Sequence, residues 1–439
     1  MILKNNFIMV DNTKEFSLEI VADILGTSKR VIESWSTTKL IPHINPNNGK
    51  KYFKLEQLFK FPSAEFLFDT NWDEESKIKP NRTYKIIELF AGAGGLALGL
   101  EKAGFKSVLL NEINKDASQT LKSNRKDWNV ENCDIKDLDF TPYKNKIDVL
   151  TGGFPCQAFS YAGKKLGFED TRGTLFYEFA RAVKETNPKV ILAENVKGLV
   201  SHESGKTLQT IKEVIDEIGY ELVEPEVLKA IFYRVPQKRE RIFLVAIRKD
   251  FSRFVQYRYP SKFPEIFTMR DALQKGRLFK TDVPESEGQV YPKRKREIMC
   301  KVPPGGYWRD LPENLQREYM RGSYFLGGGK TGLARRLSWD EPSLTLTCAP
   351  AQKQTERCHP EETRPLTIRE YARIQTFPDE WHFCGSLSSI YKQIGNAVPV
   401  NLALAMGRSL VKVLNEIEEC DFKTEKPKLI KNGQIELRL

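Results

Sequence analysis

The chain has 439 residues, of which 40% are hydrophobic and 29% are charged. This composition excludes a disordered chain and predicts a globular protein of two or three domains. No apolar run approaches the roughly 18 residues of a membrane span, and the sequence shows no signal-peptide pattern, so we expect a cytoplasmic protein. The net charge of +11 favours a polyanionic partner. The seven cysteines form no Cys-x-x-Cys pair, which argues against a zinc ribbon, and we expect no metal.

Residues 1–75 have the pattern of a separate small module. The stretch "FSLEIVADILGTSKRVIESW" predicts two helices with a turn at Gly26, and Thr27 or Ser28 fits the N-cap of the second helix. "INPNNGKKYF" then predicts a hairpin that turns at Asn48-Gly49. This order resembles the winged helix-turn-helix of the MerR and excisionase-like group, which implies DNA binding and suggests action on the protein's own promoter. A small helical packing domain is the alternative, and "DTNWDEESKIKPNRT" is interpreted as a polar linker after it.

The remaining chain divides by its pattern into four parts. Residues 84–250 alternate strand-like and helix-like segments, which predicts an α/β fold with a Rossmann-like, doubly wound parallel sheet. Residues 251–363 are irregular and basic, with 20 lysines and arginines against 14 aspartates and glutamates. A helical pattern returns in residues 364–417, and residues 418–439 form a polar tail.

The stretch "IIELFAGAGGLALGLEKAGF" reads as a strand, a glycine-rich turn and a helix. Glycines allow close approach of a ligand to the backbone, and a helix N-terminus favours anionic groups. The next strand ends at Glu112, about 20 residues on, where a carboxylate could reach ribose hydroxyls. Together these features indicate a nucleoside-bearing cofactor, although an ordinary tight turn has the same glycines.

Six sequence blocks, in order, identify a family. They are "ELFAGAGGLALGLEKAGF" with "NEIN", "GGFPCQAFSYAGKKLGFEDTRGTLFYEFAR", "ENVKGL", "VPQKRERIFLVAIR", "RPLTIREYARIQTFP" and "YKQIGNAVP". These blocks resemble those of C5-cytosine DNA methyltransferases of the bacterial restriction-modification type, and the resemblance covers residues 84–417. It implies an S-adenosylmethionine-dependent methyltransferase fold, double-stranded DNA as substrate, a smaller irregular target recognition domain at 251–363, and a monomer associated with the nucleoid.

The resemblance also implies the residues that hold S-adenosylmethionine. Glu112 would bind the ribose and Asp134 the adenine amino group, although Cys133 occupies the usual glycine position before Asp134. The complete cofactor set is Phe90, Ala91, Gly92, Gly94, Gly95, Leu96, Glu112, Ile113, Asp134, Ile135, Pro155, Asn396 and Val398.

Residues 148–160, "DVLTGGFPCQAFS", place one cysteine beyond the end of a strand. By residue type alone, Cys156 could be a small buried hydrophobe. The family resemblance instead implies a thiolate that adds to C6 of cytosine and makes C5 nucleophilic. Glu194 would protonate or hydrogen-bond N3, Arg241 would contact O2, and Arg239 would brace the site.

The DNA contacts form a further set of predictions. The glycine-rich segment after Cys156 predicts a mobile loop that closes on a flipped-out base, with Gln157, Ser160, Lys164 and Lys165 as contacts. Arg335 and Arg336 are candidate guanine readers in the target recognition domain. Two alternatives remain open at this stage: a tRNA cytosine methyltransferase of the same architecture, and a DNA-binding regulator with a silent methyltransferase fold.

Overall fold

The computed structural model describes residues 15–44, 51–155, 174–328 and 330–424. They form two compact units, one made of the chain up to Lys77 together with Ser261–Ile266, and the other of the remaining residues. The first unit therefore draws on two separated stretches of sequence.

The described part of the first unit starts with a strand that leads directly into a helix. Its strands are β1 (Glu15–Ser17) and β2 (Tyr52–Lys54), and its helices are α1 (Leu18–Ile24), α2 (Lys29–Thr37) and α3 (Trp72–Lys77). Strands β1 and β2 pair antiparallel. The side chains of Ser17 and Ser28 each accept a backbone N–H in the first turn of α1 and α2, so Ser28 rather than Thr27 is the second N-cap. The hairpin turn predicted at Asn48-Gly49 lies outside the described residues.

Helix α3 occupies the stretch that the sequence indicated as a polar linker. Its Trp72 is 7% exposed and packs edge-on against Phe263, with ring centroids 5.2 Å apart. Glu75 accepts hydrogen bonds from the Ser261 N–H and hydroxyl at 2.9 and 2.6 Å. The linker interpretation was wrong here because the partners that bury Trp72 lie far along the chain, where local sequence does not reveal them.

The second unit contains a central sheet, its covering helices and the region of short elements. Its strands are β3 (Tyr84–Leu89), β4 (Phe105–Asn111), β5 (Val130–Glu131), β6 (Val149–Gly152), β7 (Val190–Val196), β8 (Tyr220–Leu222), β9 (Glu226–Lys229), β10 (Gln237–Lys238), β11 (Glu240–Arg248) and β12 (Ser343–Leu344). Its helices are α4 (Gly95–Lys102), α5 (Lys115–Asn124), α6 (Leu175–Thr186), α7 (Lys206–Glu217), α8 (Lys249–Ser252), α9 (Met269–Leu273), α10 (Lys293–Met299), α11 (Glu313–Met320), α12 (Ile368–Ile374), α13 (Leu387–Asn396) and α14 (Val400–Thr424).

The central sheet is mixed rather than parallel. Its order is β5-β4-β3-β6-β7-β11-β8, and β9 lies beside the other half of β11. The strands from β5 to β7 pair in parallel, but β11 runs antiparallel to β7, β8 and β9. The expectation of a fully parallel sheet was therefore wrong at this edge. An apolar run such as "RIFLVAI" indicates a buried strand but carries no information on its direction.

Helices cover both faces of this sheet, as the α/β alternation predicts. One core includes Phe179 of α6 and Ile211 of α7, and the other includes Leu98 of α4, Leu121 of α5 and Ile394 of α13. In such sheets the crevice beyond the carboxyl ends of the strands is where ligands bind.

The stretch Leu387–Cys420 is long and apolar enough to cross a membrane by length and composition alone. Of its most apolar window, 78% is buried inside the fold, as expected of core helices. Helix α14 packs closely on α4, because a Cβ at Gly99 would lie 2.3 Å from the Cβ of Ala403. The apolar character of this stretch is thus explained by helix packing.

The region after β11 has its own small core. Its buried members include Met299, Trp308, Met320 and Cys358. Strand β12 pairs in parallel with β10, which directly precedes Arg239. This pairing attaches the irregular region to the strand segment that leads into β11.

Candidate active site

A cavity of about 710 Å³ lies at the carboxyl ends of the parallel strands. Turns after β3, β4 and β6, the carboxyl end of β7, the start of β11 and the end of α13 contribute to its walls. The residues predicted from the sequence that line it are Phe90, Ala91, Gly92, Gly95, Leu96, Glu112, Ile113, Pro155, Glu194, Arg241, Asn396 and Val398. The fold therefore brings cofactor and catalytic candidates to one cavity.

The glycine-rich turn wraps around the carboxylate of Glu112. Its two oxygens accept the backbone N–H groups of Gly92 and Asn114, each at 2.7 Å. Gly92 has φ +54°, which favours glycine. A Cβ at Gly95 would lie 2.2 Å from the carbonyl oxygen of Val398, so only glycine lets the turn approach the chain after α13 this closely. Burial raises the pKa of Glu112, and the two backbone N–H groups oppose that rise.

Three predicted cofactor residues do not line this cavity. Gly94 starts α4 with φ +83°, and a Cβ there would meet Leu121. Asp134 caps a short 3₁₀ helix by accepting the Lys136 N–H at 3.0 Å. Ile135 is buried in the core beneath the sheet. Ile135 is thus a core residue, whereas the half-buried carboxylate of Asp134 retains further acceptor sites, so its contact with the adenine amino group stays a prediction.

Glu88 is a cavity residue that our sequence analysis missed. It is fully buried within β3 and lines the cavity, and its Oε2 has no hydrogen-bond partner in the described part of the chain. Burial, reinforced by repulsion from Glu112, raises the pKa of Glu88 well above its ordinary value. A signal was present, since "KIIELF" places an acid inside an apolar strand pattern.

Glu194 and Arg241 meet at the opposite wall. The Arg241 Nε lies 2.6 Å from Glu194 Oε1, and both side chains are nearly buried. They meet because β11 is antiparallel: Arg241, at its amino end, pairs with Val196 at the carboxyl end of β7. Burial raises the pKa of Glu194, and the charge of Arg241 opposes that rise.

Arg239 lies behind this pair. Its guanidinium donates to the carbonyl oxygens of Gly395 and Asn396 at 3.0 and 3.1 Å. These carbonyls end α13, where a cation is favoured by the helix dipole. Burial and the charge of Arg241 lower the pKa of Arg239 to about 9. Arg239 therefore connects the start of β11 to the cavity wall at Asn396.

Cys156, Gln157, Ser160, Lys164 and Lys165 lie outside the described residues. The described chain before them reaches the cavity at Pro155.

The side-chain amide of Asn195 holds the backbone that leads to Cys156. Asn195 Nδ2 donates to the carbonyl oxygen of Phe154 at 2.9 Å, which ties the chain after β6 to the end of β7. A Cβ at Gly153 would lie 2.9 Å from Glu194 Oε2, so glycine leaves room for that carboxylate. Asn195 was missed as a positioning residue, although it lies in the quoted "ENVKGL" block.

The two arginines suggested as guanine readers differ in their surroundings. Arg336 is 4% exposed, and its guanidinium donates to the Glu361 and Met299 carbonyl oxygens and to the Thr363 hydroxyl. The structure contradicts a base-reading role for Arg336, because its guanidinium is buried and both Nη atoms donate inside the fold. Arg335 is half-buried, with its guanidinium 6.0 Å from the Tyr307 ring centroid.

This α/β fold and its cavity define a methyltransferase architecture, and comparison with known proteins identifies the family. The model of the C-5 cytosine-specific DNA methylase family matches residues 84–412. The type II methyltransferase M.Eco47II of Escherichia coli is 66% identical over 92% of this chain and 97% of that protein. M.PspPI of Psychrobacter sp. (strain TA137) is 60% identical over 91% of this chain and 96% of that protein.

One solved structure illustrates the likeness of fold. The crystal structure of the S. pombe Dnmt2 methyltransferase is 20% identical, with a TM-score of 0.51, and the match covers 76% of this chain and 99% of that one. The chain belongs to the C-5 cytosine-specific DNA methylase family. It is a DNA cytosine-5 methyltransferase that uses S-adenosylmethionine.

Proposed function

We propose that the protein is the modification enzyme of a type II restriction-modification system. It methylates C5 of a flipped-out cytosine in a short duplex site, through a covalent bond from Cys156 to C6, and protects cytoplasmic host DNA. The relatives M.Eco47II and M.PspPI are type II methyltransferases. The observation that carries the proposal is the Glu194–Arg241 pair on the wall of the cavity that Pro155 reaches, one residue before Cys156.

The cavity residues fit S-adenosylmethionine, which supplies a methyl group on a sulfonium. Glu112 would hold the ribose, since each of its oxygens accepts one N–H and retains a second acceptor site. Glu88 offers a buried carboxyl oxygen without a partner in the described chain, which suits a cationic ligand. Ile113, Asn396 and Val398 line the remaining wall.

The catalytic roles follow from what each side chain can donate. The thiolate of Cys156 attacks C6, and the added electron density makes C5 a nucleophile. Once C5 carries the methyl group, its hydrogen leaves as a proton to water and the Cys156–C6 bond breaks, which restores the ring and frees the thiolate. Glu194, with its raised pKa, holds a proton for N3, and Arg241 donates to O2. Arg239 acts as a positioning residue through its bonds to the end of α13.

Duplex libraries incubated with the enzyme and S-adenosylmethionine, followed by bisulfite sequencing, test this function. The expected result is one short motif with one modified cytosine. A tRNA arm carried out in parallel would contradict the proposal if RNA alone were methylated.

Glu88→Gln is expected to weaken S-adenosylmethionine binding by about tenfold to a hundredfold, because a charged hydrogen bond is lost. The same change is expected to stabilise the free enzyme at neutral pH. The folded-state pKa of Glu88 is raised above its ordinary value of 4.5. The contribution of this carboxyl to the free energy of unfolding is therefore fully present below pH 4.5 and is lost as pH rises through the folded-state pKa. Calorimetric titration and thermal unfolding at pH 5 and 8 measure both effects. A variant with unchanged cofactor affinity would exclude Glu88 from the ligand contacts.

We further propose that the first unit is a helix-turn-helix that binds the protein's own promoter. Helices α1 and α2 are joined by a turn at Gly26, with φ +65°, and are capped by serines. Helix α2 buries Ile32 and exposes its opposite side, where Arg30 and Ser34 lie. An exposed polar side on the second helix is the arrangement with which such motifs enter the major groove.

Arg30→Glu is expected to abolish binding of a fragment containing the gene's upstream region, because it reverses a charge facing the phosphates. Gel-shift titration measures this binding, and methylation of unrelated DNA should be unchanged. Glu65→Gln, an exposed change elsewhere in the same unit, serves as the control. Equal promoter affinity of the Arg30 variant and the wild type would remove the proposal.

A further inference from the structure

A series of aromatic side chains leads from the core of the region after β11 to its surface. The ring of buried Trp308 lies 6.0 Å from that of Tyr324, edge-on. Tyr324 lies 5.3 Å, again edge-on, from Phe325, which is 78% exposed. The next residue, Leu326, is 67% exposed. The series thus ends in an apolar tip, Phe325–Leu326, that is supported by packed rings.

Local hydrogen bonds hold the backbone around the apolar tip in place. Phe325 is the last residue of a 3₁₀ helix, Arg321–Phe325, and Arg321 has φ +51°, a conformation that non-glycine residues rarely adopt. The Lys330 ammonium donates to the carbonyl oxygens of Ser323 and Leu326. A tip fixed in this way loses little conformational entropy when it binds.

Basic side chains accompany the aromatic series. Arg309 lies 5.2 Å from the Trp308 ring centroid, and Arg317, which also pairs with Glu313, lies 5.2 Å from that of Tyr324. Residues 307–336 contain six lysines and arginines against three aspartates and glutamates. An exposed aromatic ring beside cations suits a nucleic acid, because phosphates meet the charges and a base face stacks on the ring.

We propose that Phe325, flanked by Leu326, is a wedge that enters the target duplex and stacks on a base exposed when the cytosine leaves the helix. The proposal rests on the proposed function, because it requires duplex DNA whose stack is opened. Apolar side chains inserted at opened base steps stabilise such distorted DNA. The wedge makes the enzyme's DNA affinity depend on an apolar contact as well as on phosphate contacts.

Phe325→Ala should weaken binding of the mapped duplex site by about tenfold to a hundredfold, the range for loss of one base–aromatic stack. The slope of log Kd against log salt should not change, because no phosphate contact is lost. Phe325→Trp should restore affinity. The affinity for S-adenosylmethionine should equal that of the wild type.

Phe254→Ala is the matched control. Phe254 is 55% exposed and has an arginine, Arg253, 5.0 Å from its ring centroid, but it lies on the segment after α8 rather than at the end of the aromatic series. This control variant should bind DNA like the wild type. 2-Aminopurine placed along the site should change its emission at the position where a base stacks on Phe325. This change should be lost in Phe325→Ala and retained in Phe254→Ala.

The outcomes separate the wedge from the proposed function. A wild-type enzyme that methylates its site while Phe325→Ala keeps full DNA affinity overturns the wedge alone. An equal loss in both phenylalanine variants also overturns it. If Phe325→Ala leaves DNA binding intact but abolishes capture of a protein partner, the tip is a protein-docking surface and the proposal fails. A wild type that methylates no DNA instead contradicts the proposed function.

Discussion

Replacement of Cys156 by serine is expected to abolish methyl transfer while leaving S-adenosylmethionine binding nearly intact. A serine hydroxyl is not ionised at neutral pH, so it adds poorly to C6 of cytosine. Loss of a nucleophile from a set of residues that act together lowers turnover by about 10³-fold or more. The cofactor contacts proposed above come from other residues, chiefly Glu88, Glu112 and Asn396, so the cavity should still bind its ligand.

Transfer of a labelled methyl group to DNA measures the first effect, and calorimetric titration measures the second. Cys348→Ser is a matched control, because the Cys348 Sγ lies 3.2 Å from Asn396 Oδ1, beside the cofactor cavity. This control should remain active. A duplex with 5-fluorocytosine at the target position should trap a covalent adduct at Cys156. Full activity of Cys156→Ser, or an adduct at another residue, would contradict the mechanism.

The elements of the α/β part follow from local patterns. Helix α5, Lys115–Asn124, belongs to the α/β alternation predicted over 84–250, because its amphipathic spacing and its Asn114 N-cap are both local signals. The direction of β11 does not follow in this way. If β11 ran parallel to β7, Arg241 would lie at the amino end of the strands, far from Glu194. The active-site pair therefore depends on the antiparallel direction of β11, which the sequence pattern does not show.

Burial at the candidate site is likewise set by distant partners. Residue type alone predicts a guanine reader at Arg336, yet its guanidinium donates to the carbonyl oxygens of Met299 and Glu361, well apart in sequence. Glu88 directly precedes the glycine-rich turn in sequence, but only the fold shows that its buried carboxyl lines the cavity. Motifs thus locate the site, whereas three-dimensional contacts decide which polar groups remain available to a ligand.

Glu194→Gln is expected to lower turnover by about 10²–10⁴-fold, the usual contribution of a general acid. Glutamine can hydrogen-bond the base but cannot deliver a proton to N3. Glu240→Gln is the matched control, because Glu240 is close by on β11 and pairs with Lys197 rather than with Arg241. The control should keep near wild-type turnover, and equal losses in the two variants would show a general effect of lost charge.

The pH profile gives the sharper test of Glu194. Burial raises its pKa, so its acid form persists above the usual range and is lost as pH rises through the folded-state value. Wild-type turnover should therefore fall as pH rises through the folded-state pKa of Glu194, because the proton donor is lost. In Glu194→Gln this falling limb should disappear. A falling limb that persists in the variant would assign it to another group and exclude Glu194 as the proton donor.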